Sequence, residues 1–323
     1  MRAAVLDAPG EEPVVRDHPE PGDAAGHTLV TVTAAPIVPL DQLVASGSSY
    51  FGRPATPYVP GTQGVGVVAR SDVLPAGTRV FFATSAGIGP GNGSLAERCL
   101  VRDDAVVPVH PAVPDAEAAA LGMSAVAAWM ALTERGRLQP GERVLVLGAG
   151  GAVGQVAVAA AKVLGAGRVV AVCRSGAAQE RARRAGADSV VPLAGDVDEL
   201  TARFRDACGG SADVVVDPVF GVAATAACRV LADRGRLVNL GGASGDLAEF
   251  SSAVLRSRTV DVLGYTNNAL RPDQRRQALE AVFRHAGTGR LAVAHEQVPL
   301  ADAGAAWRRQ ATGQAGVRLV VTP

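Results

Sequence analysis

The chain has 323 residues, with 31 basic and 31 acidic side chains, and is 48% hydrophobic against 19% charged. That length exceeds one comfortable core and predicts two domains, while the apolar content excludes wholesale disorder. Zero net charge argues against an extended basic face for nucleic acid, and four scattered cysteines without a Cys-x-x-Cys pair exclude a disulfide framework or a cysteine-rich zinc site.

Residues 1–115 read as β structure. Short β-branched runs at 3–6, 29–33, 64–69, 79–82, 100–101 and 105–109 are separated by Gly/Pro clusters, the pattern of a barrel or sandwich. Ala3, Ala4, Val5 and Leu6 precede Asp7, too short an apolar run for a signal-peptide core. After Pro114, Asp115 is suited to cap a helix that begins at Ala116 and continues to about Arg135. Residues 143–241 then alternate. Strands are expected at 143–147, 168–173, 189–191, 212–217 and 236–240. Helices are expected at 153–164, 177–185, 196–207 and 222–232, with Gly165, Gly186, Gly209 and Gly235 as left-handed C-caps. The alternation predicts an α/β protein with a doubly wound parallel sheet. A strand at 259–264, helices at 273–285 and 302–312, and a last strand at 317–321 complete the chain. No stretch reads as a membrane span, so the expectation is a cytoplasmic protein with no membrane partner.

The densest chemistry lies at the first strand–helix turn, Val144-Leu145-Val146-Leu147-Gly148-Ala149-Gly150-Gly151-Ala152-Val153-Gly154-Gln155. Glycine is needed where the chain turns tightly and where backbone approaches a pyrophosphate, and the helix that follows turns free N–H groups toward the phosphates. Read from Gly148 the Gly-x-Gly-x-x-Gly pattern fails at Val153; read as Ala149-x-Gly151-x-x-Gly154 it fits. Ala149, Gly151, Ala152, Val153 and Gly154 are therefore candidate cofactor residues, joined by the later loop Leu240, Gly241, Gly242 and Ala243. The second strand ends Val172-Cys173-Arg174-Ser175, with no acid for the ribose hydroxyls. Arg174 and Ser175 suit a 2′-phosphate, so NADPH is expected over NADH; a charge-assisted contact of ~1.5–3 kcal/mol gives about 10- to 150-fold discrimination. Arg181, Arg183 and Arg184 on the next helix read as a solvated face. Lys162 is the only lysine, and Val158 stands four residues before it, so Tyr-x-x-x-Lys catalysis is absent.

Taken together, these segments resemble the medium-chain dehydrogenase/reductase superfamily, in its zinc-free quinone oxidoreductase branch that includes zeta-crystallin. The carriers are Val59-Pro60-Gly61-Thr62-Gln63-Gly64-Val65-Gly66, Gly141-Glu142-Arg143-Val144 leading into the glycine turn, Gly186-Ala187-Asp188, the run from Gly235 to Gly245, and Gly316-Val317-Arg318-Leu319-Val320-Val321. The resemblance implies a GroES-like substrate domain from residues 1–115 and 260–323, a Rossmann NADPH-binding domain from 116–259, and a cleft between them. It also implies a homodimer that pairs edge strands, here 259–264.

The same resemblance tests for zinc. The family's alcohol dehydrogenases carry a cysteine three residues before an aspartate resembling Asp41, and a Gly-His-Glu run; here those positions are Val38 and Gly61-Thr62-Gln63. Valine and threonine do not replace thiolate and imidazole, and the five histidines show no close ligand spacing, so no metal is expected. Without a Lewis acid, the implied reaction is reduction of a small-molecule quinone or conjugated enone. Tyr50, after Ser46-Gly47, is the candidate proton donor, with aromatic packing on a loop as its alternative, and Asp41 resembles the family's cleft aspartate, with a structural turn or cap as an equal reading. Many quinone reductases carry asparagine at the place of Val38 and threonine at the place of Ala127. Their replacement makes the acceptor pocket more apolar, and leaves cofactor grip to Arg174, Ser175 and Arg318. Two alternatives stand beside this expectation: an enoyl-thioester or biosynthetic enone reductase, and a non-catalytic NADPH-binding protein.

Overall fold

The computed structural model describes all 323 residues. Seven strands come first: β1 (Arg2–Val5), β2 (Val14–Asp17), β3 (His27–Pro36), β4 (Gln63–Arg70), β5 (Arg79–Ala83), β6 (Arg98–Arg102) and β7 (Val106–Pro108), with α1 (Pro39–Ala45) between β3 and β4. A helix α2 (Asp115–Met130) leads to β8 (Arg143–Leu147), α3 (Ala152–Val163), β9 (Arg168–Cys173), α4 (Gly176–Arg184), β10 (Ser189–Pro192) and α5 (Val197–Ala207). Then follow β11 (Ala212–Asp217), α6 (Gly221–Cys228), β12 (Leu231–Asn239), α7 (Ser252–Arg258), β13 (Asp261–Gly264) and α8 (Pro272–Gly287). The chain closes with β14 (His295–Pro299), α9 (Ala303–Ala311) and β15 (Arg318–Thr322).

The chain divides into two compact units, Met1–Gly122 with Ala294–Pro323, and Met123–Val293. In the first, seven strands form one sheet in the order β14-β15-β3-β4-β5-β7, with β6 also paired to β3. Its pairs are antiparallel apart from β14–β15, and β15 joins β3 through Val320–Pro36 and Val321–Ala35. Both ends of the chain thus build one sheet, over a core that includes Val30, Val32, Phe82, Leu319 and Val321.

The second unit holds a six-stranded parallel sheet in the order β10-β9-β8-β11-β12-β13. Its central strands are near-continuous valine and leucine because helices cover both faces; Val144, Leu145, Val146, Leu147, Val214, Val215 and Val216 are fully buried. The strand order reverses between β8 and β11, where doubly wound sheets open their ligand crevice.

Four sequence expectations shift. The units meet at residues 122/123 and 293/294 instead of 115/116 and 259/260, because β13 pairs with β12 in the parallel sheet and α8 follows it there. The helix expected at 222–232 ends at Cys228, because Leu231 is already paired with Ala212. Gly235 therefore lies inside β12, whereas Gly165, Gly186 and Gly209 take the expected positive φ. Finally, the helical stretch Asp115–Arg135 is long and apolar enough, by composition, to cross a membrane. It is mostly buried in the protein and broken at Gly122 (φ 37°, ψ −140°), where a side chain would strike the Gln63 amide.

Candidate cofactor and substrate sites

In the second unit, the loops at the carboxyl ends of β8, β9, β11 and β12 are those singled out by sequence, together with one that was not. Gly148 takes φ +61° as the chain leaves β8, and Gly151 N-caps α3 in extended conformation. Each glycine has a separate reason. A Cβ at Gly150 would lie 2.7 Å from Ala178 Cα of α4. One at Gly154 would lie 2.5 Å from Ala149 Cα, so α3 packs directly on the turn. At Gly151 a Cβ meets nothing nearer than Gly148 O at 3.5 Å, leaving that face of the turn open. Ala149 is buried, and its N–H bonds Val172 O (3.0 Å). Ala152, Val153 and Gly154 form the first turn of α3, whose N–H groups have no intrahelical acceptor and carry the positive end of the helix dipole. The structure thus assigns the tight turn to Gly148 and the close approach of strand to helix to Gly154. Gly148 fell outside the shifted motif because Val153 breaks the pattern counted from it.

At the end of β9, Arg174 is exposed and makes no hydrogen bond or ion pair within the chain. Ser175 N-caps α4, its Oγ accepting from Ala178 N (3.3 Å). Of the three arginines expected on a solvated face, Arg183 and Arg184 pair with Glu180 (3.6 and 3.2 Å). Arg181 does not belong with them: its Nε donates to Gly150 O (3.0 Å). Lys162 forms a surface ion pair with Asp188 (2.9 Å), in keeping with a solvated helical position.

The contribution that sequence reading missed is Asp217, fully buried at the end of β11. Its Oδ1 accepts from Val219 N (3.0 Å) and Phe220 N (2.7 Å), and Oδ2 from Asn239 Nδ2 (3.3 Å). Burial pushes its carboxyl above the usual range, and these donors pull it back. Asn239 also donates to Gly241 O (2.8 Å), while Ala243 N and Ser244 N bond Pro218 O and Val219 O. One carboxylate therefore ties the 217–220 turn to the loop of Leu240, Gly241, Gly242 and Ala243. Phe220 is held at φ +58°, ψ −154°, a region nearly reserved for glycine, with its ring edge-on to Phe250 (centroids 6.1 Å apart). A buried acid within a run of valines at a strand end is the sequence signal for this residue.

In the first unit, Asp41 lies in the first turn of α1 and is 2% exposed. Oδ2 accepts from Val38 N (2.8 Å); Oδ1 accepts from Thr62 N (2.8 Å) and Thr62 Oγ1 (2.7 Å). Burial raises its carboxyl, opposed by these donors and by Arg318. Arg318 is buried too, donates from Nη1 to Ile37 O (3.0 Å), and is pulled down to about 10 by burial. Asp41 is thus a buried cap of α1 that also binds Thr62 and faces Arg318 of β15, with both carboxylate oxygens engaged, the geometry of the turn or cap role. Arg318 is likewise engaged in the interior of the first unit, facing Asp41. Tyr50 is 78% exposed, its ring 4.3 Å from that of Phe51. The buried Tyr58, which sequence did not single out, has its phenol pushed up to about 12 by burial and by Asp41.

No group of three or more His, Cys, Asp or Glu side chains is placed to hold a metal ion, and the four cysteines are free and buried. The residues of the second unit do fit a dinucleotide: an open glycine face, unpaired first-turn N–H groups, and an uncommitted guanidinium where a ribose lies in such sheets.

A parallel sheet in the order found here, with a glycine turn at its switch point and a β unit built from both chain ends, defines the two-domain dehydrogenase/reductase class. Residues 152–284 match the family described as zinc-binding dehydrogenase. The quinone oxidoreductase-like protein 2 of Bos taurus is 32% identical over 81% of this chain and 74% of that protein. A phenolphthiocerol/phthiocerol polyketide synthase of Mycobacterium tuberculosis is 33% identical over 98% of this chain, which spans 14% of that protein's length. The quinone oxidoreductase of Thermus thermophilus, solved also in complex with NADPH, superposes over the full length of both chains with a TM-score of 0.83 and 29% identity. The chain belongs to the quinone oxidoreductase branch of the medium-chain dehydrogenase/reductase superfamily.

Proposed function

We propose that this protein is an NADPH-dependent oxidoreductase that reduces a quinone or conjugated enone without a metal. The observation that carries the proposal is Arg174, exposed and unpaired at the end of β9, beside an open phosphate-binding turn and with no acid at that strand end. A guanidinium there favours a 2′-phosphate, and a carboxylate would repel one. Bound NADPH supplies the hydride. The chain's own part is to hold pyrophosphate on the first turn of α3, the 2′-phosphate on Arg174 and Ser175, and the nicotinamide half along Leu240, Gly241, Gly242 and Ala243. With Asp41 fully engaged and Tyr58 high in pKa, the proton comes from Tyr50 or from solvent. Val38 and Thr62 stand where the family's zinc ligands would be, and neither side chain replaces a thiolate or imidazole, which supports metal-free chemistry.

The acceptor is a small molecule, and a homodimer is proposed through β13, an edge strand with most of its residues exposed. The free, buried cysteines suit a reducing compartment such as the cytoplasm. A second substrate class, a conjugated thioester, is supported by the identity to a polyketide synthase over nearly the whole chain. NADPH oxidation is to be followed with quinones, simple enones and enoyl thioesters in parallel. Turnover confined to one set assigns the acceptor. NADPH binding without turnover on any set replaces the proposal with a non-catalytic NADPH-binding protein.

A further inference from the structure

The Gly150–Gly151 peptide is fixed from both sides. Its carbonyl accepts from Arg181 Nε of α4 (3.0 Å) and from Gln155 Nε2 of α3 (3.1 Å), and its N–H donates to Gly148 O (3.1 Å). Two side chains from two helices therefore converge on one backbone oxygen in the middle of the phosphate-binding turn. Gln155 is buried, and Arg181 is half-buried and, unlike its neighbours Arg183 and Arg184, has no carboxylate partner. A peptide between two glycines is the one in this turn most free to rotate, since neither flanking residue has a Cβ to restrict it. Rotation would turn the carbonyl, an acceptor, toward phosphate oxygens and withdraw the ordered face. A guanidinium donor gives the stronger of the two restraints, because hydrogen bonds from charged donors exceed neutral ones.

We propose that Arg181 is a positioning residue: with Gln155 it clamps the Gly150 carbonyl and keeps the pyrophosphate-binding turn in its binding conformation before a dinucleotide arrives. The proposal rests on the dinucleotide site described above. It assigns Arg181 a duty distinct from that of Arg174, since pyrophosphate is common to NADPH and NADH whereas the 2′-phosphate is not.

The test compares Arg181→Ala and Arg181→Lys with the unmodified protein in two measurements. By calorimetry, Arg181→Ala is expected to weaken NADPH and NADH alike by about tenfold, with Arg181→Lys recovering most of the loss. By hydrogen exchange without nucleotide, the Gly151 amide is expected to exchange about tenfold faster in Arg181→Ala, and the amides of β8 at the unmodified rate. Weakening of NADPH alone would make Arg181 a 2′-phosphate ligand and overturn the proposal. An unchanged Gly151 exchange rate overturns it whatever the nucleotide data show. If the unmodified protein binds neither nucleotide, the cofactor assignment fails, and the exchange measurement still decides whether the clamp exists.

Discussion

Two glycines three positions apart in the same turn are expected to fail in opposite ways when replaced by alanine. At Gly154 the added Cβ would lie 2.5 Å from Ala149 Cα and 2.8 Å from its carbonyl carbon. Both are backbone atoms, so α3 must move bodily off the turn to reach ordinary contact. Overpacking against two backbone atoms falls in the upper part of the usual range, about 2–3 kcal/mol, of which alanine's helix preference returns about 1 kcal/mol. The net loss of ~1–2 kcal/mol corresponds to a melting temperature lower by roughly 2–8 °C for a cooperative unit the size of Met123–Val293. At Gly151 the φ of −79° suits any residue, and the Cβ meets nothing nearer than 3.5 Å. Gly151→Ala should therefore melt with the unmodified protein, within about 0.5 kcal/mol. Its methyl would instead occupy the face offered to pyrophosphate, and NADPH affinity should fall at least about tenfold. Differential scanning fluorimetry with and without NADPH reads both effects at once. Unchanged melting of Gly154→Ala, or unchanged NADPH-induced stabilisation of Gly151→Ala, would refute the assignment of packing to one glycine and ligand approach to the other.

Arg174→Ala should weaken NADPH about tenfold, the low end of a charge-assisted contact because the side chain is exposed, and leave NADH untouched in the same titration. Asp217 holds its proton more tightly folded than unfolded, so the protein loses part of this group's contribution as pH rises from its ordinary pKa of 3.8 through its raised folded value. Urea midpoints measured from pH 4 to 8 should show that Asp217→Asn gains on the unmodified protein with rising pH; parallel curves would discount the buried carboxyl. Phe220→Gly should be more stable than Phe220→Ala by about 1–3 kcal/mol, since only glycine accepts this backbone without strain. Equal urea midpoints for the two would show that the turn relaxes when the ring is removed.

Much of the second unit was legible because its signals are local. Valine runs punctuated by glycine give parallel strands and helix ends, and the turn after β8 carries its own chemistry. What sequence could not place were choices made by distant partners. Counted along the chain, 259–264 could belong to either unit; pairing with β12 decides it. Asp41 reads equally as a cleft acid or a cap, and its partners Val38, Thr62 and Arg318, the last 277 residues away in number, are visible only in the fold. Arg181 reads as one of three surface arginines, and only the fold of the glycine turn separates it from Arg183 and Arg184. Asp217 was overlooked because its one signal, an acid closing a run of valines, does not say which amides it gathers, and its meaning lies in those amides.

The pairing of β15 with β3 has a consequence for how the chain is made. Residues 123–293 are contiguous, so the parallel sheet has all its strands as soon as β13 and α8 are synthesised. The other sheet cannot close until residues 318–322 appear, and until then the Ala35–Pro36 end of β3 lacks its partner on one side and Asp41 lacks its arginine. Domains fold as units during synthesis, and free strand edges are the sites of mispairing. The second unit therefore acts as a completed insert, bringing the two halves of the first within reach and shortening the effective loop that β15 must close. Removing residues 318–322 would thus damage a sheet whose other strands lie mostly between residues 27 and 108.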